Sequence, residues 1–128
     1  MNKQVIVLRR DLNMRLGKSC SQAAHASMAF MTKRLMLFKT VPTIGSLELS
    51  PEEKEWIKGT FTKIVVGAGS EQELRDLQAK ALEAGLEAHL ITDNGLTEFA
   101  GVPTVTALAI GPAHEDKINP ITGHLKLL

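Results

Sequence analysis

The segment RLGKSCSQAAHAS, residues 15–27, places a glycine, a lysine and a serine in succession and then spaces Gln22 and His25 among small residues. A Gly-Lys-Ser triplet ends the phosphate-binding P-loop, whose motif requires another glycine five positions earlier. Leu12 holds that position, so the segment does not predict a nucleotide-binding P-loop. Lys18 nevertheless follows an expected strand and opens an expected helix, where backbone N–H groups attract anions. An ammonium group there fits a phosphate or a developing oxyanion.

The expected helix is two-sided. Steps of about 100° per residue gather four polar side chains on one stripe, Lys18, Ser21, Gln22 and His25. The opposite side is expected to pack on a sheet, and it carries Cys20, Ala24, Ser27, Met28 and Met31. Taken singly, a solvated lysine and a surface histidine are the simpler interpretations, so the stripe alone does not establish a site.

A second polar group follows an expected strand in the segment ITDNGLTEF. Asp93 ends that strand, and ligands of open sheets gather outside such ends. Its carboxylate could orient water, accept a proton or pair with a lysine, although Asp-Asn-Gly is also ordinary turn chemistry. Thr97 lies in the loop that follows. Thr104 and Thr106 alternate along the next strand, which puts both hydroxyls on one face, but threonine is common in strands for packing reasons alone.

Several other classes of site are absent from the sequence. The four histidines lack the paired spacing of a metal site, there is no G-x-S-x-G motif, and the chain has no tyrosine and one tryptophan on which bases could stack. The single cysteine excludes an internal disulfide, which fits a reducing compartment. The apolar run 5–8 is too short for a signal sequence or a membrane span. We therefore expect a cytoplasmic protein with no membrane contact.

The charge of the chain is unevenly distributed. Residues 1–40 hold eight basic side chains and one acidic side chain, a charge of +7, whereas residues 41–128 hold seven and thirteen, a charge of −6. This asymmetry fits a basic surface for a polyanion, and it fits chance clustering of solvated charges equally well.

The patterning predicts elements in the order β-α-α-β-α-β-β-α. The expected strands are residues 4–8, 61–66, 88–92 and 104–110, the last ended by Gly-Pro. The expected helices start at Gly17 or Lys18 and reach Phe38, then cover 51–58, 71–84 and 113–118, with a surface loop over 39–49. Ser-x-x-Glu capping boxes start the second and third helices, at Ser50 and Ser70. Glycines end both.

These elements predict one domain over residues 1–128. Strands separated by helices form right-handed parallel crossovers, whereas the third and fourth strands have too short a connection and are expected to be antiparallel neighbours. The predicted fold class is α/β, a three-layer α/β/α arrangement with a small mixed four-stranded sheet whose last strand is antiparallel.

Four segments occur together in a recognisable order: KQVIVLRRDLNM, GKSCSQAAHAS, LITDNGLTEFAGVPTVTALAIGP and ITGHLKLL. With them the chain resembles the type 2 peptidyl-tRNA hydrolases, the archaeal and eukaryotic-type class, from Lys3 to Leu128 and most weakly over residues 32–59. The resemblance implies an enzyme that cleaves the ester between a peptide and the 3′ end of tRNA. It also implies no organic cofactor, no obligatory metal and a possible homodimer.

The resemblance places the family's functional residues on this sequence. It implies catalytic roles for Lys18, Asp93, Thr97 and Thr106, and it puts Gln22 and His25 beside the lysine. Gly17 and Gly95 lie in the matching motifs and are assigned to substrate binding. Where the family often reads D-A-G-R-T-Q, this chain has Asn94, Leu96 and Glu98. The lost arginine and the added acid weaken that loop as a phosphate contact, so binding is expected to rely on Arg9, Arg10, Arg15 and Lys33.

Two questions stay open from sequence. The base that activates water is Asp93 or His25, since an ordinary aspartate is a weak base and a histidine titrates nearer neutrality. The lysine holds either the oxyanion or a terminal phosphate. No pair of nucleophile and base stands out, which favours direct attack by water. The competing class of function is a non-catalytic module on the same fold that binds an RNA end or a protein.

Overall fold

A computed structural model of the chain describes residues 1–36 and 47–128. The strands in these ranges are β1 (Asn2–Arg9), β2 (Lys63–Ala68), β3 (Ala88–Asp93) and β4 (Thr104–His114). The helices are α1 (Leu16–Met36), α2 (Pro51–Lys58), α3 (Glu71–Glu83) and α4 (Glu115–Thr122). Their order is the predicted one. The expected helix end at Phe38 and residues 39–46 of the expected loop lie outside the described residues. Within the described ranges, no helix has the length and apolarity that crossing a membrane demands.

The described strands form one mixed sheet in the order β2-β1-β4-β3. β1 and β2 are parallel, and β4 is antiparallel to both of its neighbours. α1 packs on one face through Ala26 against Ile6, whereas α3 and α4 cover the other face. α2 lies on the α1 side, where the Trp56 ring meets the Phe30 ring edge-on at 6.0 Å. This confirms the predicted α/β/α fold with an antiparallel last strand.

The capping boxes differ between the two helices. At α2 the predicted box is complete, because Ser50 Oγ accepts from Glu53 N at 3.1 Å and Ser50 N donates to Glu53 Oε1 at 2.7 Å. At α3 the expectation is half wrong: Ser70 Oγ accepts from Glu73 N, but the Glu73 carboxylate accepts from Gly69 N at 2.7 Å. Ser70 is far more extended than Ser50, with φ of −162° against −66°, which brings the preceding N–H to the carboxylate instead.

Several strand boundaries differ from the prediction: β1 starts two residues earlier, and β1, β2 and β3 each end one or two residues later than expected. β2 begins two residues late, because Phe61 has φ of +56° and its ring packs on the Trp56 ring at 4.4 Å instead of extending the strand. β4 does not end at Gly111-Pro112 but continues to His114. Gly111 and Pro112 lie opposite a register shift in β1, between Lys3 and Val5. A proline is tolerated at such a shift because no ladder donor is required there.

The last helix is longer than predicted and starts later. It begins at Glu115 with His114 as its N-cap, whose ring nitrogen accepts from Asp116 N at 3.2 Å. It runs through Pro120 to Thr122. The prediction misplaced it because β4 occupies the residues expected to open the helix.

The packing face of α1 was also predicted wrongly. Its buried residues are Gln22, Ala26, Ala29 and Phe30. The side expected to pack on the sheet is largely in solvent, since Cys20 and Ala24 are exposed and Met28 is 53% exposed. Helical periodicity separates two sides but does not say which one turns inward. Of the polar stripe, Lys18 and Gln22 turn inward, because Asp93 supplies a polar partner for both. Ser21 and His25 stay exposed.

Candidate active site

The site is built where the start of α1 meets the end of β3. Lys18 lies in the first turn of the helix, and Asp93 is the last residue of the strand. Lys18 Nζ donates to Asp93 Oδ1 at 3.0 Å, and the two side chains retain only 11% and 10% of their exposure. Two charged groups that lie 75 residues apart in the chain therefore form one largely desolvated ion pair, between the start of α1 and the end of β3.

The loop between β3 and β4 covers the ammonium group. Lys18 Nζ also donates to Thr97 Oγ1 at 2.7 Å. The Phe99 ring lies 5.6 Å from the same nitrogen, a distance at which a cation is attracted to the ring face. Phe99 was missed by the sequence analysis, because no spacing rule connects a loop aromatic residue to a helical lysine. An ammonium group has three N–H donors, and two of them are engaged here, which leaves one for a ligand.

The buried side-chain amide of Gln22 holds the Asp93 carboxylate in position. Gln22 Nε2 donates to Asp93 Oδ1 at 3.2 Å, and Gln22 Oε1 accepts from Thr106 Oγ1 at 2.6 Å. Gln22 and Thr106 are 1% and 0% exposed. Neither therefore touches a substrate directly, and we interpret both as positioning residues. The Thr104 hydroxyl has a different partner, the Val102 carbonyl at 2.8 Å.

A β-bulge turns Thr106 toward the helix. β4 pairs Ala107 with Ile91 and Val105 with Thr92, so Thr106 is an extra residue in the ladder. Val105 and Ala107 accordingly pack in the clusters on opposite faces of the sheet, although they are two residues apart. The simple alternation expected for this strand does not hold at the site.

The turn after β3 holds the second carboxylate oxygen. Gly95 N donates to Asp93 Oδ2 at 2.9 Å. Gly95 has φ of +81°, and a Cβ there would lie 2.3 Å from the Val102 carbonyl oxygen, so only glycine fits. The Asx-turn and the ion pair thus use the same carboxylate, and the two interpretations open at the sequence level are compatible. Gly17 has open space around it, and the structure gives no steric reason for glycine there.

The electrostatics of the pair keep Asp93 ionised. The hydrogen bond from Lys18, opposed by burial and assisted by the Gly95 N–H, holds the pKa of the Asp93 carboxyl below its ordinary value. A carboxylate stabilised in this way is a poor proton acceptor. It remains well suited to orient a polar group through the lone pair of Oδ2 that the Gly95 N–H does not use.

His25 stays outside this hydrogen-bonded network. It is exposed on α1, two turns beyond Lys18, and no hydrogen bond to its ring occurs within residues 1–36 and 47–128. His25 and Asp93 nevertheless line the same groove between α1 and β3. His25 and Asp93 therefore border the same space.

The arginines expected to bind an anion are more engaged than their charges suggested. Arg9 pairs with Asp11 at 2.7 Å, and Arg10 donates to the Leu127 carbonyl at 2.6 Å. Arg15 pairs with Glu98 at 2.7 Å while remaining 82% exposed. The basic surface predicted from residues 1–40 is thus partly neutralised, by Asp11 nearby in sequence and by Glu98 far from it.

The arrangement lends itself to chemistry on an anionic or polarised oxygen. It offers one free ammonium N–H, an ionised carboxylate with a free lone pair on Oδ2, and a histidine that borders the same groove. In the described ranges, no three His, Cys, Asp or Glu side chains are grouped in a way that would hold a metal ion.

Comparison with known proteins gives a consistent result. The family described as "Peptidyl-tRNA hydrolase PTH2" matches residues 2–128. A peptidyl-tRNA hydrolase of Thermococcus onnurineus is 39% identical, with 98% of this chain and 97% of that protein covered. A peptidyl-tRNA hydrolase of Methanocaldococcus jannaschii is also 39% identical, with 98% and 99% covered. A solved structure of a protein of unknown function from Agrobacterium tumefaciens superposes with a TM-score of 0.55 at 14% identity, covering 99% of this chain and 97% of that one, which shows likeness of fold alone.

Proposed function

Because the chain belongs to the peptidyl-tRNA hydrolase PTH2 family, we propose that it hydrolyses peptidyl-tRNA through the Lys18–Asp93 pair. The bond broken is the ester between a peptide, or an N-blocked amino acid, and the 3′ oxygen of tRNA, and the products are the free peptide and a reusable tRNA. The assignment of residues rests on one observation. The largely desolvated Lys18 and Asp93 side chains form an ion pair, with Nζ and Oδ1 3.0 Å apart.

The geometry supports direct attack by water. The free N–H of Lys18 stabilises the negative charge that develops on the carbonyl oxygen as water adds to the ester carbon. Asp93 Oδ2 accepts a hydrogen bond from that water and orients it, and Thr97 holds the ammonium group in place. The intermediate then expels the 3′ oxygen, which takes back the proton that the base removed from water and leaves as the hydroxyl of tRNA.

The proton of the attacking water passes to His25 in this proposal, because the lowered pKa of Asp93 makes the carboxylate a poor base. We expect His25→Asn to lower kcat about tenfold, because the asparagine amide cannot accept the proton of the attacking water. The measurement is the initial rate of ester release over a range of substrate concentrations. A wild-type kcat in the variant would return the role of base to Asp93.

The direct test of function compares two substrates. Purified protein is incubated with an N-acetyl-aminoacyl-tRNA and with the corresponding free aminoacyl-tRNA, and ester release is followed in each. We expect release from the blocked substrate only. Release from both would indicate a broader deacylase, and release from neither would favour the binding module that the sequence left open.

We also propose that basic side chains contact phosphates at the end of the tRNA. The candidates are Arg9, Arg10, Arg15 and Lys33. Gly17 and Gly95 are proposed to shape the backbone around the site. We expect the affinity for uncharged tRNA to fall about tenfold between 50 and 200 mM salt, as a few phosphate contacts to a single strand require. Glu98→Gln frees Arg15 and is expected to tighten binding about threefold at low salt. Fluorescence anisotropy over a salt series measures both effects.

The control for Glu98→Gln is Glu83→Gln, which removes an exposed acid from α3, away from the cleft. Its affinity for tRNA should match that of the wild type. A flat salt response in the wild-type protein would mean that the arginines make no phosphate contact. Equal affinity of Glu98→Gln and wild type at low salt would mean that Arg15 is not among them.

The family also predicts a homodimer in the cytoplasm, acting without a cofactor. We include both the dimer and the location in the proposal. Light scattering on the purified protein tests the first, and cell fractionation tests the second.

A further inference from the structure

α1 divides its face of the sheet into two grooves. One groove lies toward β2, has a volume of about 440 Å³ and is largely apolar, with Met31 and Trp56 among its walls. The other, called the edge groove here, has a volume of about 410 Å³ and is lined by His25, Ala29, Thr32, Lys33, Met36 and residues 90–94. Asp93 belongs to the edge groove, so this groove is continuous with the active site.

The free edge of the sheet borders the edge groove. Among the described residues, β3 pairs with β4 alone. The carbonyl of Glu87 accepts from Gly111 N at 3.0 Å, so the backbone groups of Glu87 face β4. Backbone groups alternate in direction along a strand, so those of Ala88 face away. Gln78 Nε2 accordingly reaches the Ala88 carbonyl from outside the sheet, at 3.2 Å.

The same alternation makes Leu90 and Thr92 the next residues whose N–H and C=O groups point away from β4. Both residues line the edge groove. A row of such groups is a template for pairing with another extended chain. The row ends at Thr92, directly before Asp93, which is the residue proposed to orient the attacking water.

We propose that the edge groove binds the peptide part of peptidyl-tRNA as an added strand, paired through its main chain with Leu90 and Thr92 of β3. This inference rests on the proposed function. The carboxyl end of the peptide carries the ester and must lie at Asp93, so the peptide runs parallel to β3. Main-chain pairing does not depend on peptide side chains, so the groove accepts peptides of varied sequence. Arg9 and Arg10 line a separate groove beside Leu16 and Ser19, at the start of α1, and stay available to the tRNA. Lys33 lines the edge groove, so in this inference it lies beside the peptide and not beside a phosphate.

The length of the paired segment is limited by the strand itself. The Ala88 carbonyl is already occupied by Gln78, which leaves the stretch from Leu90 to Thr92. At about 3.3 Å per residue this stretch matches about three peptide residues. The rate advantage of a longer peptide should therefore rise up to about three residues and then stop.

The test compares N-acetyl-peptidyl-tRNAs with one, three and five residues that share the same carboxyl-terminal amino acid. We expect wild-type kcat/KM to rise about tenfold from one residue to three, as two added main-chain hydrogen bonds would give, and to stay level from three to five. Thr32→Trp fills the edge groove and is expected to abolish the rise while cleaving the one-residue substrate at about the wild-type rate. Ala24→Trp, on the opposite flank of α1, should keep the full rise.

The outcomes separate the two proposals. No rise in the wild type, or an equal rise in Thr32→Trp, would overturn the peptide groove. Loss of the rise in Ala24→Trp instead would move the peptide to the other groove and overturn it as well. Failure of the wild type to cleave any of the substrates would contradict the proposed function itself.

A measurement on the wild-type protein covers the case in which Thr32→Trp does not fold. The probe is the trinucleotide CCA carrying an acetylated tripeptide through a 3′ amide, which resists hydrolysis. Saturation with this probe should slow hydrogen exchange at the Leu90 and Thr92 amides. A matching probe that carries one amino acid should leave the exchange rates of both amides at their values in the free protein. Equal exchange with both probes would overturn the proposal.

Discussion

Lys18→Ala is expected to lower kcat for N-acetyl-aminoacyl-tRNA by about 100-fold or more, with the fold retained. In the proposed mechanism the side chain places a positive charge where the oxyanion forms, and Asp93 Oδ1 at 3.0 Å and Thr97 Oγ1 at 2.7 Å hold the ammonium group in place. Fixed donors of this kind stabilise a transition state without reorganisation during the reaction. Steady-state kinetics of ester release measure the loss, and circular dichroism checks the fold.

Two further lysine variants sharpen this prediction. Lys18→Arg keeps the charge but replaces a compact ammonium group with a planar fork, so it should recover only part of the activity. Lys54→Ala removes an exposed lysine from α2 and should leave kcat unchanged. A Lys18→Ala enzyme that retained wild-type kcat would exclude the lysine from catalysis.

Asp93→Asn is expected to lower kcat by a similar amount, about 100-fold, with a small effect on KM. The substitution keeps the shape of the side chain but removes the charge that pairs with Lys18 and that, in the proposed mechanism, orients the water. The Lys18 side chain, 11% exposed, then loses its counter-ion. Because both residues act as one unit, the double variant Lys18→Ala/Asp93→Asn should lose little more activity than either single variant. Additive losses would mean that they act independently.

The same substitution has a pH signature in stability. The pKa of Asp93 is lower in the folded protein than its ordinary value of 3.8. The ion pair therefore stabilises the fold fully above that value and loses this contribution as the pH falls through the lower, folded-state pKa. Asp93→Asn should reduce the free energy of unfolding at pH 7 and converge with the wild type at the acid end. Urea unfolding at several pH values measures this, and Asp76→Asn, an exposed aspartate on α3, should show no such convergence.

Much of the local structure could be predicted from sequence. The box at Ser50 and Glu53, the apolar stripe of Leu74 and Leu77, and the turn at Gly95 depend on contacts within a few residues, which local rules describe well. The predicted boundaries were wrong where pairing with a segment distant in sequence sets the end of an element. β4 passes through Gly111-Pro112 because β1 is available to pair beyond them.

The candidate site shows the same division. Lys18 and Asp93 could each be singled out from sequence, since one opens a helix and the other closes a strand. Their contact could not be derived from local rules, because it depends on α1 crossing the sheet above the end of β3. Phe99 and the pairing of Glu98 with Arg15 depend on the path of a loop that has no periodic pattern.

The sequence by itself determined the order of the elements, the family and the residue types available for chemistry, because these depend on patterning along the chain. The tertiary structure alone decided which side of α1 turns inward. Apolar burial did not settle that choice, since Met28 remains half exposed while Gln22 is buried. Lys18 and Gln22 turn inward because Asp93 and Thr106 satisfy their hydrogen bonds at positions that a strand end and a bulge create. Ser21 and His25 of the same side find no such partner and stay exposed.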